Sequence, residues 1–179
     1  MRGCTMRPTS RAVWFPGVAA LAMNFACLRV SPQELTTSVP ESLKGEWTIV
    51  SIYKTSNISG ISPEQAKSLV GSRIKYENGF LIACKQRVKI EKVEEKEVTA
   101  TQFLAGRKRT SFSDVGINAP SIKGITINGN SSGNCFDTYA LPGEDVYIKG
   151  QTELLIDFEG VYYRALRRAP ASRKRSSGG

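Results

Sequence analysis

Between Gly45 and Arg168 the chain is a succession of short runs in which apolar and polar residues alternate, separated by glycine, proline and asparagine. Alternation with a period of two puts one row of side chains on each face of a strand. Residues 45–53 are rich in β-branched and aromatic types and read as the first strand. The pattern then changes. Ser62-Pro63-Glu64-Gln65 can cap and start a helix, Ala66, Leu69 and Val70 give it one apolar stripe, and Gly71 ends it, so a helix is expected over 63–70. Residues 73–76 and 80–84 flank Glu77-Asn78-Gly79, and Asn-Gly between strand-like runs predicts a hairpin. Residues 88–101 alternate valine or isoleucine with charge, with Glu94-Glu95-Lys96 as a candidate turn. A short irregular or helical connection over 111–117 precedes strands at 122–127, 136–141, 146–149, 152–158 and 161–166.

Eight to ten short strands at even spacing predict a mostly β domain, closed as a barrel or packed as a sandwich. About 125 residues are enough for one hydrophobic core. By alternation Ile49, Tyr53, Phe80, Ile82, Ile156, Phe158 and Tyr163 are candidates to face the interior, where they would either line a ligand cavity or simply fill it.

The ends differ in composition from the body. Arg2, Arg7 and Arg11 precede an apolar stretch over 12–28, and no acid appears before Glu34. A basic start, a short apolar run and small residues near its end mark a secretory signal, read here as residues 1–26. Cleavage after Ala22 or after Ala26 fits, and the second would expose Cys27 for lipidation, the one route by which the chain would meet a membrane. Residues 27–43 read as a linker and 169–179 as a disordered basic tail. The net charge of +9 resides in these ends. Without the three arginines of 1–26 and the six basic residues of 164–179, the body carries sixteen basic against sixteen acidic residues. That balance argues against nucleic acid as a partner, because no face is dense enough in cations to track phosphates.

Chemistry narrows the function further. The chain has no histidine, which removes the commonest general base and metal ligand. No metal-binding spacing and no nucleophile with a base beside it is visible, so no cofactor, metal or catalytic residue is assigned. Asp157 and Glu159 flank Phe158 near a turn and read as solvated charge. Cys84 and Cys135 are the cysteines left in the body, and two cysteines in an exported domain are expected to pair. A bridge over about 50 residues would add about 4 kcal/mol in the chain-entropy account.

Gly45-Glu46-Trp47 on the first strand and Arg167 on the last form a pair that resembles the signature of small bacterial lipocalin-like (calycin) proteins. Arg164 is the other arginine of the last strand, but Arg167 shares phase with Val161 and Tyr163. The resemblance covers 44–168 loosely and implies a single antiparallel lipocalin-like barrel with one short helix after the first strand. It implies too that Gly45, Trp47 and Arg167 close the barrel, the guanidinium lying across the indole. An unrelated β-sandwich is the rival architecture. On this basis the expected function is an exported, periplasmic or secreted, non-catalytic barrel that binds a small apolar ligand. The alternative is a cell-envelope interaction module, an inhibitor or assembly factor, whose barrel is filled and whose partner is an envelope protein.

Overall fold

The computed structural model describes residues 35–36, 38–77, 79–106, 110–129 and 134–168. The signal read at 1–26, Cys27, most of the linker before Ser38 and the tail at 169–179 lie outside the described residues. In chain order the strands are β1 (Leu35–Thr36), β2 (Gly45–Thr55), β3 (Arg73–Glu77), β4 (Phe80–Ala83), β5 (Gln86–Thr99), β6 (Ser121–Gly129), β7 (Asp145–Ile148), β8 (Glu153–Phe158) and β9 (Val161–Arg167). Two short helices interrupt them, α1 (Pro63–Ser68) and α2 (Ala100–Ala105), together with a 3-10 turn at Ser113–Val115.

From β2 to β9 every strand pairs antiparallel with the next, and β9 pairs back onto β2, so eight strands form one ring-like sheet. A closed ring satisfies both edges of each strand and leaves little edge to template aggregation. β5 is the long member: residues 86–89 pair with β4, and residues 90–99 with β6. β1 adds antiparallel to β5 through Leu35↔Glu94 and Thr36↔Val93.

Local chemistry explains the helix starts. Ser62 and Gln65 exchange the two hydrogen bonds of a capping box, with Pro63 in the first turn. The apolar side of α1 buries Ala66 and Leu69 in the core, and Tyr163 donates its hydroxyl proton to the Ala66 carbonyl. Thr99 and Gln102 make the same box at the start of α2.

Three expectations change. The fold has two short helices among the described residues, not one. Glu94-Glu95-Lys96 does not turn, because β6 takes β5 as its partner without interruption from Lys92 to Thr99. Residues 136–141 form no strand: Phe136 and Asp137 adopt positive φ, which breaks the extended backbone, and Leu141 points into the core.

The inner face is filled. Trp47, Ile49, Ile74, Tyr76, Leu81, Ile125, Leu154, Ile156 and Tyr163 are all sealed from solvent. The connection from β6 to β7 completes the seal. Leu141, Pro142 and Gly143 are buried, and the Tyr76 hydroxyl donates to the Gly143 carbonyl at 2.8 Å. At Gly143 φ is 106°, and an added Cβ would come within 2.7 Å of the Tyr76 oxygen and 2.9 Å of Ile74. Only glycine meets both demands. Cys84 and Cys135 form a disulfide that ties this connection to the β4–β5 turn. Gln86 reinforces it, accepting from the Asn134 backbone N–H at 2.9 Å.

A second apolar cluster lies outside the ring. Val98, Phe103, Phe112, Val115, Ile117, Ile122, Leu155 and Tyr162 pack together where α2 and the following strap cover the sheet. This is why Leu154, Leu155 and Ile156 are buried in succession: β8 has core on both faces.

Candidate functional site

Gly45, Trp47 and Arg167 meet at one end of the ring. Trp47 and Arg167 are direct partners across β2 and β9, and the guanidinium carbon lies 4.2 Å from the indole centre. Its nitrogens donate to three backbone carbonyls, those of Gln151 at 2.9 Å, Lys44 and Ser42. The indole N–H donates to the Leu43 carbonyl at 2.8 Å. Gly45 sits at φ 115° with room for a Cβ only 3.2 Å from Arg167 Nη1. The indole N–H and all three guanidinium nitrogens are thus engaged by the protein's own carbonyls, so this end is a joint. Arg164 faces outward and is engaged by Glu153 through Nε and Nη2 at 3.1 and 2.9 Å.

The seven candidate lining residues divide into two groups. Ile49, Ile156, Phe158 and Tyr163 face inward and are packed in the interior core. Tyr53, Phe80 and Ile82 do not line the interior. Leu81 and Ala83 take the inward positions of β4, which turns Phe80 and Ile82 outward, and Arg87 lies 3.7 Å over the Phe80 ring. In β2 the register with β9 shifts between Ile49 and Ser51, so the phase changes. Ile52 then packs on the inner core and Tyr53 on the outer one. A bulge inserts one residue and reverses every later side chain, which alternation alone cannot foresee.

Tyr53 joins a compact polar cluster. Lys149 Nζ donates to the Tyr53 hydroxyl at 2.7 Å and to the Val115 carbonyl at 3.1 Å, and lies 2.9 Å from Glu153 Oε1. Tyr53 itself donates to Glu153 at 2.7 Å. Partial burial disfavours the Glu153 charge, but hydrogen bonds from Arg164, Tyr53 and Lys149 outweigh it and hold the carboxyl down at about 2. The cluster pins the strap after α2 to the sheet through Val115.

Among the described residues, a hollow lies on the outer face beside this strap. It has a volume of about 620 Å³ and runs between α2, the end of β5 and strands β7 to β9. Its walls are aromatic. Phe103 meets Tyr147 edge-on at 5.2 Å and 71°, and Tyr162 at 5.7 Å and 45°. Gly124 makes room for this wall, since a Cβ there would press on the Tyr147 ring at 3.2 Å. The strand register places acids beside the rings. Asp145, Asp157 and Tyr162 stand in one row across β7, β8 and β9. Among the described residues that line the hollow are the carboxylates Glu97, Asp145 and Asp157 and the ammonium of Lys96. Burial first, then the Asp157 charge, pushes the phenols of Tyr147 and Tyr162 far above their ordinary value, so both stay neutral donors. Tyr162 is hydrogen-bonded to Asp157 and Thr110.

A second hollow, of about 380 Å³, adjoins the first and shares Asp145 and Asp157 with it. Glu144 and Glu159 add two more acids, and Ile58 stands exposed at its edge. Half-buried Glu144 is held above its ordinary value by burial, with Asp145 and Glu159 adding to the effect.

Sequence reasoning singled out Asp157 but not Phe103, Tyr147, Tyr162 or Asp145. The signal available was the capping box of Thr99 and Gln102, which predicts a helix and hence a covered outer face. No family model, no curated protein and no solved structure matches this chain.

Proposed function

We propose that this protein is an exported, non-catalytic binding module with a filled interior, which engages an envelope protein through the hollow on its outer face. The carrying observation is the contrast in space. The ring interior is occupied by Trp47, Tyr76, Tyr163 and the inserted Leu141, whereas about 620 Å³ opens between α2 and β7–β9. Interfaces draw on such aromatic, partly polar hollows. The Cys84–Cys135 bridge agrees with the export read from the leader. The Trp47–Arg167 joint across β2 and β9 supports the lipocalin-like reading of the ring. A small apolar ligand held inside the ring is the other reading, and it requires Leu141–Pro142–Gly143 to leave the core.

Two measurements on the mature protein separate these readings. Native mass spectrometry and displacement of a fluorescent fatty acid should show no retained or displaced lipid. Affinity capture from envelope extracts should recover a specific protein with the unaltered chain and lose it with Lys96→Trp, which fills the hollow from an exposed strand position. Stoichiometric lipid in the native spectrum would overturn the filled-module reading.

A further inference from the structure

The connection from β6 to β7 is held unlike the strands of the ring. Among the described residues, no backbone hydrogen bond joins positions 135–143 to a strand. Its own backbone bonds are local, Thr138 N–H to the Cys135 carbonyl at 3.3 Å and Glu144 N–H to the Leu141 carbonyl at 3.2 Å. It nevertheless puts Leu141 in the interior core and packs Phe136 and Ala140 against it. The disulfide, with Gln86 on Asn134 beside it, fastens the start of the segment, and the Tyr76 hydroxyl holds the Gly143 carbonyl near its end. We infer that Cys84–Cys135 is a redox latch on an interior plug: reduction by a dithiol lets 135–143 leave the ring while the eight strands stay paired. Such a device is independent of the binding surface on the outer face.

Cutting the bridge leaves the ladders in place. β4 and β5 are joined by their own pairing, from Phe80↔Lys89 to Ala83↔Gln86, and Trp47 and Arg167 tie β2 to β9. A segment with few bonds to its surroundings opens locally at lower cost than a strand. Phe136 and Asp137, beside the bridge, hold φ 59° and 60°, a left-handed backbone that residues with a Cβ disfavour. The bridge pins Cys135 next to them, and cutting it lets both relax. Exposure sets the order of the chemistry. Cys84 is partly exposed and Cys135 is buried, so the incoming thiolate attacks the Cys84 sulfur. The S–S bond breaks, and Cys135 leaves as a thiolate and takes a proton. The second thiolate of the dithiol then displaces Cys84, which is protonated in turn. Two electrons and two protons reach the protein, and the dithiol becomes a disulfide. Departure of the segment uncovers Ile74, Tyr76 and Leu81, against which Gly143 is set.

The mature chain is compared oxidised and after reduction by dithiothreitol, using amide hydrogen exchange read by NMR and binding of N-phenyl-1-naphthylamine, a neutral apolar dye. On reduction the amides of Thr138 and Glu144 should exchange at least about tenfold faster, while those of β8 and β9 keep their protection. The dye should bind the reduced chain at least about tenfold more tightly than the oxidised one. Cys84→Ala combined with Cys135→Ala should bind the dye without reductant and should not respond to it. Tyr76→Phe removes the hydrogen bond to Gly143 and keeps the bridge. It weakens docking of the plug, so half-reduction should need severalfold less dithiol, a shift that a bridge uncoupled from the plug would not show. Equal dye affinity in both redox states would overturn the inference. Loss of protection in β8 and β9 together with Thr138 would overturn it as well, because the bridge would then support the whole fold and not a plug.

Discussion

The two faces of the ring are built on opposite principles. The inner face is apolar throughout, and its few polar atoms are consumed internally, as with Tyr76 on Gly143 and Trp47 on Leu43. The outer face under α2 mixes three aromatic rings with carboxylates and leaves a hollow among them. Side chains packed on the inside hold the fold together, while the rings outside, with Phe103 and Tyr162 buried and Tyr147 partly so, border a hollow. On the proposed function, stability and recognition fall to different surfaces of one sheet, and substitutions should separate them.

The sharpest break would come from the inner face. Trp47→Ala should destabilise by about 3–5 kcal/mol, read by urea unfolding, because it empties a sealed position and strands a guanidinium. A double-mutant cycle with Arg167→Ala should show coupling, and additivity would dismiss the joint. Replacing both Cys84 and Cys135 by alanine should cost up to about 4 kcal/mol and should loosen the connection that seals the ring. Non-reducing peptide mapping of native material should show this pair linked, and free thiols there would undo the expectation.

Phe103→Ala on the outer face should cost less, about 2–3 kcal/mol, since one side of its ring borders the hollow. A loss equal to that of Trp47 would erase the contrast between the faces. Glu153 gives a smaller, pH-dependent term. Its carboxyl titrates at about 2 in the folded chain against an ordinary 4.5. A group depressed in this way adds stability that is complete above about pH 4.5 and fades as the pH falls toward 2. Unfolding midpoints across that window should fall for the unaltered chain and fall less for Glu153→Gln, which has no proton to take up there. Parallel curves would remove the role given to the Lys149–Tyr53–Glu153 cluster.

Much of the fold is legible in the chain because its signals are local. The Ser62–Gln65 capping box, the Glu77–Phe80 hairpin and the evenly spaced strands each depend on residues a few positions apart. The pairing of the two body cysteines was expected from their number and from the export read in the leader, and the structure shows it. The phase that puts Arg167 with Tyr163 is likewise a matter of counting along one strand.

What tertiary structure alone decided is the use of each face. The register shift in β2 sends Tyr53 outward, and it arises from fitting β2 against β9 across the ring closure. Leu81 and not Phe80 turns inward because β4 must pair with β5 while its neighbours fill the interior. Asp145, Asp157 and Tyr162 come from three strands, and only antiparallel register sets them in a row. The sequence by itself determined that this chain makes a disulfide-tied, mostly β domain with a capped helix after the first strand. Whether its interior would be hollow or full depended on where the 134–144 connection was laid down. Long-range packing settled that by burying Leu141 in the interior core and setting Gly143 against Tyr76 and Ile74, where its carbonyl accepts from the Tyr76 hydroxyl.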